Sequence, residues 1–403
     1  MQRLPDGRAG WPDQGRSPSR RLREDPFDIL AEIAETIGPR RATSLAEAQA
    51  AAYLDGRLRR AGLRVSVDAL SASASTGWDG VLLGVLAALS TLLYYWFPLP
   101  SLGLAIWSLA IAVWRAWRHN TPLLVRRRAS QNVIGTRVQT PQSRWRVVLL
   151  APLDSPPLLI PAFRWLGYGR RLAIGRVVAC TLLVIGALLG LADAQRIWLY
   201  SQCVPVSYLL LAAVIDLSLI GAAASDGATN HAGALATLLA SATTLSMLEQ
   251  VELWVVGLGA SISGAGLADL LRRYPFEPER TLFIGLESLG SGRLSYVTGE
   301  GFVLRYPADP LLLQLVGLAD AADPVIDAEP RSLRSRTILG RQVLPGWRGL
   351  IITCRDPSGE APGWASRADS VAAIDPAILD RAVRLVVGLV QRINATPGDA
   401  PLH

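Results

Sequence analysis

The apolar positions of this chain repeat with two short periods and, in two regions, do not repeat at all. "DPFDILAEIAETIG" and "SLAEAQAAAYLDGRLRRAG" carry apolar residues every three or four positions, which predicts helices over residues 27 to 62. Ser44, with Glu47 three positions on, forms a capping box for the second helix, and Gly62 closes it. "LRVSVDAL" alternates like a strand, and "QNVIGTRV", "WRVVLLAPL", "VELWVVGLG", "RTLFIGLE" and "RGLIITC" are short apolar runs of strand length. Helical patterns lie between and after them: "NHAGALATLLASATTLSML", "GAGLADLLRRY", "ADPLLLQLVGLADAA" and "DPAILDRAVRLVVGLVQRI". Strands alternating with helices predict an open, mixed α/β sheet with helices on both faces. Functional groups in such sheets sit beyond the carboxyl ends of the strands, here "APLDS", "GLGAS" and "GLESLGSG". "GSGRLSYVTGEG" lacks the lysine and helix context of a phosphate loop and reads as a turn between strands.

The aperiodic regions are long. Residues 81 to 114 hold no charge and are broken in the middle by Pro98 and Pro100, which fits two short membrane helices joined by a tight turn. "LAIGRVVACTLLVIGALLGLA" (172–192) and "WLYSQCVPVSYLLLAAVIDLSLIGAA" (198–223) make a second pair joined by "DAQRI". Arg115, Arg118, Arg126, Arg127 and Arg128 follow the first pair, Arg164, Arg170 and Arg171 precede the second, and the two turns carry only Arg196. By the positive-inside rule the turns face outward and the polar sequence is cytoplasmic. Within the second hairpin Arg176 and Asp216 fall at nearly the same depth, counted along the two helices from the turn. Charges in membrane segments usually face the bundle interior, which predicts that they pair; the alternative is that each snorkels separately to the interface. The strands before, between and after the hairpins complete one sheet only when taken together. The expected organisation is a tail (1–26), a first part of one domain (27–77), a transmembrane hairpin (78–118), a second part (119–171), a second hairpin (172–223), a third part (224–395) and a tail (396–403). The first tail, rich in Arg, Pro and Gly, reads as disordered and not as a signal peptide.

Composition agrees with a membrane protein. Half of the 403 residues are hydrophobic, and the net charge of +7 is carried without a single lysine, which excludes Schiff-base lysine chemistry. The arginines cluster beside apolar runs, as juxtamembrane charge does, and do not form a nucleic-acid footprint. The three cysteines, Cys180, Cys203 and Cys354, form no CxxC pair, so they suggest neither a zinc knuckle nor a disulfide framework.

Several segments, in order, resemble metallopeptidase family 28, the co-catalytic zinc aminopeptidases and glutamate carboxypeptidase-like enzymes. They are "LAEIAETIGPRRATSLAEAQAAAYLDGRLRRAGLRV", "QNVIG", "VVLLAPLDS", "DGATNHAGALATLL", "VELWVVGLG", "LFIGLESLGSGRLSYVTGEG" and "GWASRADSVAAIDPAILDRAVRLV". The resemblance spans roughly residues 27 to 77 and 130 to 394. It implies a zinc-peptidase-like fold and, in a working member, two zinc ions on five protein ligands with a glutamate as general base.

Carried across residue by residue, that site is degenerate. The first histidine ligand falls on Pro152, and the aspartate that orients it is kept as Asp154. The bridging aspartate falls on Asn230, the base and ligand glutamates on Gly259 and Ala260, the next aspartate on Glu287 and the last histidine on Ala365. A shift in register does not mend this. No histidine lies between His119 and His231 or between His231 and His403, and no carboxylate between Glu252 and Asp269.

What is left has two readings. His231 is either a replacement ligand, with Asp154, Asp226 or Glu287 as partners, or a capping or solvated loop histidine. Asp154 is expected to accept backbone N–H bonds in its loop, Glu287 to be a strand-end charge, and Asp369 and Asp375 to cap turns and the last helix. The sequence therefore points to a membrane-anchored, peptidase-like binding or scaffold module without a metal cofactor, whose partners are the lipid bilayer and a protein or peptide. The alternative is a divergent hydrolase with a rebuilt zinc site on Asp154, His231 and Glu287.

Overall fold

The computed structural model describes residues 25–75, 77–118, 127–137, 143–161, 169–192, 196–245, 248–301, 305–335, 337–340 and 346–396. The expected tails fall almost wholly outside the described residues, as do residues 193–195 of the second hairpin's turn.

Nine strands build one mixed sheet: β1 (Arg64–Ser73), β2 (Arg127–Arg137), β3 (Trp145–Pro152), β4 (Val251–Leu258), β5 (Thr281–Glu287), β6 (Arg293–Glu300), β7 (Tyr306–Pro307), β8 (Glu329–Leu333) and β9 (Arg348–Arg355). Their order is β1-β2-β4-β3-β5-β9-β6-β7, with β8 on β6. β3, β4, β5 and β9 are parallel, and β1 runs with them because it is antiparallel to β2, which is antiparallel to β4. Around the sheet lie α1 (Pro26–Ala31), α2 (Leu45–Arg60), α7 (Gly233–Thr244), α8 (Ala265–Arg273), α9 (Pro310–Ala322) and α10 (Pro376–Ala395). The central strands read as unbroken apolar runs because both faces are covered. Val147, Leu149 and Ala151 of β3 pack on the face that carries α1, α2, α7, α9 and α10, and Val148 and Leu150 on the face that carries α8.

The glycine-rich segment "GSGRLSYVTGEG" is not only a turn. The turn is confined to residues 290–292, and from Arg293 the chain is strand β6, paired with β8 and β9. Leu294 and Val297 are buried there, so sheet pairing prevails over the flanking glycines. Strand β8, "EPRSL", carries too little apolar pattern to be read from sequence.

Between β1 and β2, and again between β3 and the segment leading to α7, the chain leaves the sheet as a helical hairpin. α3 (Trp78–Leu93) pairs with α4 (Pro98–Arg118), and α5 (Arg170–Ala192) with α6 (Arg196–Gly221). The four close into one bundle, each helix packed on two others, around Leu83, Ala87, Ala105, Cys180, Leu183 and Leu209. Pro98–Ala116, Arg170–Ala192 and Arg196–Gly221 are long and apolar enough to cross a membrane. α3, with 16 residues, rises only about 24 Å, short of a hydrocarbon core of about 30 Å. Exposed aromatic residues stand at both ends of the bundle, Trp78 and Trp114 toward the sheet, and Tyr95, Trp96 and Tyr200 away from it.

Each helix of the bundle contributes one charge to a quartet near its sheet-side end. The Arg176 guanidinium contacts the Asp216 carboxylate and also donates to the Ala212 carbonyl at 3.3 Å. Arg115 lies 3.8 Å from both Asp216 and Asp79. The quartet, two arginines and two aspartates, is neutral and joins the hairpins to each other. Gly80 makes room for it, since a Cβ there would come within 1.5 Å of an Asp216 carboxylate oxygen. Asp216→Arg therefore puts three arginines around one aspartate, and recovery of folded protein from membranes should fall sharply. The exchange Arg176→Asp with Asp216→Arg should restore part of that recovery. Equal loss in the single and double variants would show that the pair does not hold the hairpins together.

Candidate functional site

The carboxyl ends of β3, β4 and β5 meet, and most of the residues singled out in the sequence meet there too. β3 ends at Pro152, and two residues on Asp154 is fully buried. Its carboxylate accepts the backbone N–H groups of Ser261 at 2.9 Å and Ile262 at 3.3 Å, in the turn that follows Gly259 and Ala260. Its carbonyl oxygen is met by His231 Nδ1. A carbonyl only accepts, so the proton sits on Nδ1. His231 is buried, not solvated, and stands edge-on to Trp364 at 6.1 Å, beside Ala365. Asn230 joins the same end to β5: its side-chain oxygen accepts from the Ser288 hydroxyl at 3.0 Å, and its carbonyl from the Ser288 N–H at 2.9 Å. Glu287 is buried beside Ser288 and turns to a different partner, the Ile338 N–H at 2.9 Å. Asp226, by contrast, is exposed.

Three further residues complete this end of the sheet and carry no sequence signal of their role. Arg40, in the loop after the π-helical segment Glu32–Ile37, is fully buried. Its guanidinium donates to five carbonyl oxygens: Leu153, Ile33, Gly38, Asp226 and Gly227, at 2.7 to 3.4 Å. Gly227 takes a left-handed conformation, φ 65°, and a Cβ on it would strike Ser155 at 2.5 Å. Burial lowers the Arg40 pKa to about 10, and the charges of Asp369, Asp154 and Asp226 pull against that. Asp369 reads from sequence as a turn cap, but it reaches across the fold. Its carboxylate accepts from the N–H groups of Thr229 and Asn230 and the Ser225 hydroxyl, capping the helical segment that carries Asn230 and His231. Asp375 does cap α10, through the Ala377 N–H at 2.9 Å.

Glu47 is the third. The expected capping box is half formed: Ser44 Oγ accepts the Glu47 N–H at 3.3 Å. The Glu47 carboxylate turns inward instead, where it accepts from Ala260 N–H at 2.6 Å, the Ser130 hydroxyl at 3.0 Å and Thr43 N–H at 2.7 Å. A carboxylate from α2 thus reaches the backbone of Ala260 beyond the end of β4. Burial, helped by the nearby charge of Asp154, pushes its pKa up to about 7. Burial raises Asp154 and Asp369 as well, against the pull of their hydrogen-bond donors.

The backbone at this end is bent in ways that side chains disfavour. Ala260 (φ 46°), Ser288 (φ 54°) and Ala365 (φ 53°) all lie in the left-handed region. The space itself is filled, with Asp154, Asn230, His231, Ala260, Glu287 and Ala365 all buried. A hollow of about 290 Å³ lies at the opposite edge of the sheet, between Arg64, Ser66, Thr136, Glu252, Trp254 and Tyr274. Among the described residues, no group of three or more His, Cys, Asp or Glu side chains is placed to hold a metal ion.

No protein-family model and no curated protein sequence matches the chain. Solved structures do. A zinc aminopeptidase from Bacillus subtilis superposes with a TM-score of 0.55 at 12% identity, over 92% of this chain and 94% of its own. An aminopeptidase from Aneurinibacillus sp. strain AM-1 gives 0.56 at 13%, over 94% and 95%. A glutaminyl cyclase from Bacteroides thetaiotaomicron, bound to N-acetylhistamine, gives 0.52 at 14%, over 91% and 96%. At these identities the likeness is one of fold: a zinc-peptidase-like α/β sheet.

Glu47 has a higher pKa folded than unfolded, so between pH 4.5 and about 7 the folded state holds the extra proton. Stability should therefore fall as pH rises through that window, by on the order of 3 kcal/mol from this residue. Thermal unfolding in detergent should show that fall in the native chain and a shallower one in Glu47→Gln; equal slopes would show that Glu47 does not titrate there. Ala365→Gly relieves a left-handed alanine and should raise stability by about 1 kcal/mol in the same assay. Unchanged or lower stability would mean that the Ala365 side chain is held by packing that outweighs the strain.

Proposed function

We propose that the chain is a divergent, membrane-anchored member of metallopeptidase family 28 that serves as a non-catalytic binding or scaffold module for a protein or peptide partner. One observation carries this reading. The polar groups that remain where the family holds its metals are each engaged within the chain. Asp154 accepts from Ser261 and Ile262, Asn230 from Ser288, and Glu287 from Ile338, while His231 Nδ1 donates to Asp154. A catalytic zinc takes about three protein ligands, and among the described residues no group of three or more His, Cys, Asp or Glu side chains is placed to supply them. The donor set therefore does not fit a co-catalytic zinc pair, and no hydrolytic step is derived through one. The arginines at the sheet-side ends of the hairpins favour a cytoplasmic domain, with the helix turns facing outward.

The other reading, a metal-dependent hydrolase with a rebuilt site, draws on Glu47, which brings a second buried carboxylate beside Asp154. Metal analysis separates the two. The purified chain should carry no stoichiometric zinc and show no aminopeptidase turnover. Pro152→His alone should restore neither, because groups that act as a unit contribute non-additively. Zinc bound in stoichiometric amount, lost on chelation together with peptidase activity, would overturn the scaffold reading in favour of the hydrolase.

A further inference from the structure

We infer that the carboxyl edge of the sheet, where this fold places its functional groups, lies on the bilayer surface, with Leu45 and Ile160 seated in the lipid boundary. The inference rests on the reading that α3 to α6 cross the membrane, and strand direction then leads to it. β1 ends at this edge, and from it the chain enters α3; it returns from α4 at Arg127, the residue paired with Ser73. β3 ends at the same edge before α5, and α6 returns to a segment that pairs with the β3 exit, Leu158 N–H donating to Ala223 at 2.8 Å and Pro157 bridging Ala224. All four connections to the bundle therefore leave from one edge, and the opposite edge has none.

The bundle is tied down directly to that edge. The Arg41 guanidinium contacts the Ile220 carbonyl in the last turn of α6, one residue from the buried Arg40 clamp. Gly77, just before α3, is packed so closely on Asp216 of α6 that a Cβ would come within 2.4 Å of its carbonyl oxygen. A domain held this close to four helix ends cannot stand away from the membrane surface. The side chains beside these ties have the chemistry of an interface. Leu45, four residues past Arg41, is 76% exposed, and Ile160, two residues past Leu158, is 46% exposed. Arg127 and Arg128 at the start of β2 and Arg171 at the start of α5 are exposed at the same edge. Apolar side chains and arginines at one edge suit the boundary between acyl chains and anionic headgroups.

Site-directed spin labelling tests this on the full chain in nanodiscs of phosphatidylcholine and phosphatidylglycerol. Cys203 is first replaced by serine, since it is exposed whereas Cys180 and Cys354 are buried. Labels are placed at Leu45→Cys and Ile160→Cys, at Leu182→Cys on the outside of α5, and at Glu277→Cys in the loop before β5, at the opposite edge. The ratio of collision with oxygen to collision with a water-soluble nickel chelate should be several-fold higher at 45, 160 and 182 than at 277. A water-like ratio at both 45 and 160, with 182 lipid-like, overturns the apposition and leaves the spanning helices intact. A water-like ratio at 182 overturns the membrane reading and this inference with it. Should either interfacial label unfold the chain, Leu45→Trp and Ile160→Trp replace the labels. Quenching of their added fluorescence by brominated phosphatidylcholine is then expected, and its absence overturns the inference.

Discussion

The end of the sheet depends on one buried cation. Among the described residues no carboxylate lies within ion-pair reach of Arg40, which spends its donors on backbone carbonyls from three separate stretches: the end of the first helical segment, the exit of β3, and the approach to the helix that carries Asn230 and His231. The carbonyls of Ile33 and Gly227 also accept backbone N–H bonds, from Gly38 and from His231 and Ala232, so the guanidinium adds a second donor there and supplies one to the carbonyls of Leu153, Gly38 and Asp226. A planar guanidinium can satisfy several at fixed angles, which an ammonium group cannot. Its charge is balanced at longer range by Asp154, Asp369 and Asp226. Arg40, Asp154, Asp369 and Glu47 bring one positive and up to three negative charges into a buried space. The acids respond by rising in pKa, so that fewer of them need be ionised at once.

The four-helix bundle applies the same rule in a more apolar setting. It takes one charge from each helix and lets the four cancel, at the end nearest the sheet. The midsection is dry, and at the far end the side chains in contact are uncharged: Ser90 with Ser101, and Thr91 with Gln202. Burying single charges in such a bundle would cost a few kcal/mol each by insertion scales, whereas a neutral quartet also specifies which hairpin packs on which. From Asp216 the chain runs through the end of α6 to Asp226 and Gly227, both of which Arg40 holds. The bundle and the carboxyl edge are thus joined by covalent chain as well as by Arg41.

Much of this architecture follows from the sequence, because it rests on local periodicity. The buried strands, the helices on both faces, the two hairpins and the depth match of Arg176 with Asp216 all come from counting apolar and charged positions. β6 and β8 do not. One is flanked by glycines and the other is half polar, and their strand character comes from the neighbours they pair with. The residues of the carboxyl edge to which the family resemblance points, from Pro152 to Ala365, were legible one by one. What fills the space they surround was not. Glu47 has the signature of a local cap and Asp369 that of a turn, and Arg40 is one arginine among many. Each acts through partners more than a hundred residues away, such as Ala260, Thr229 and Leu153. Short-range spacing determines which elements form and which face of each is apolar. Only tertiary packing decides which buried polar group meets which, because that choice depends on the direction of a carbonyl or a carboxylate after the elements have docked.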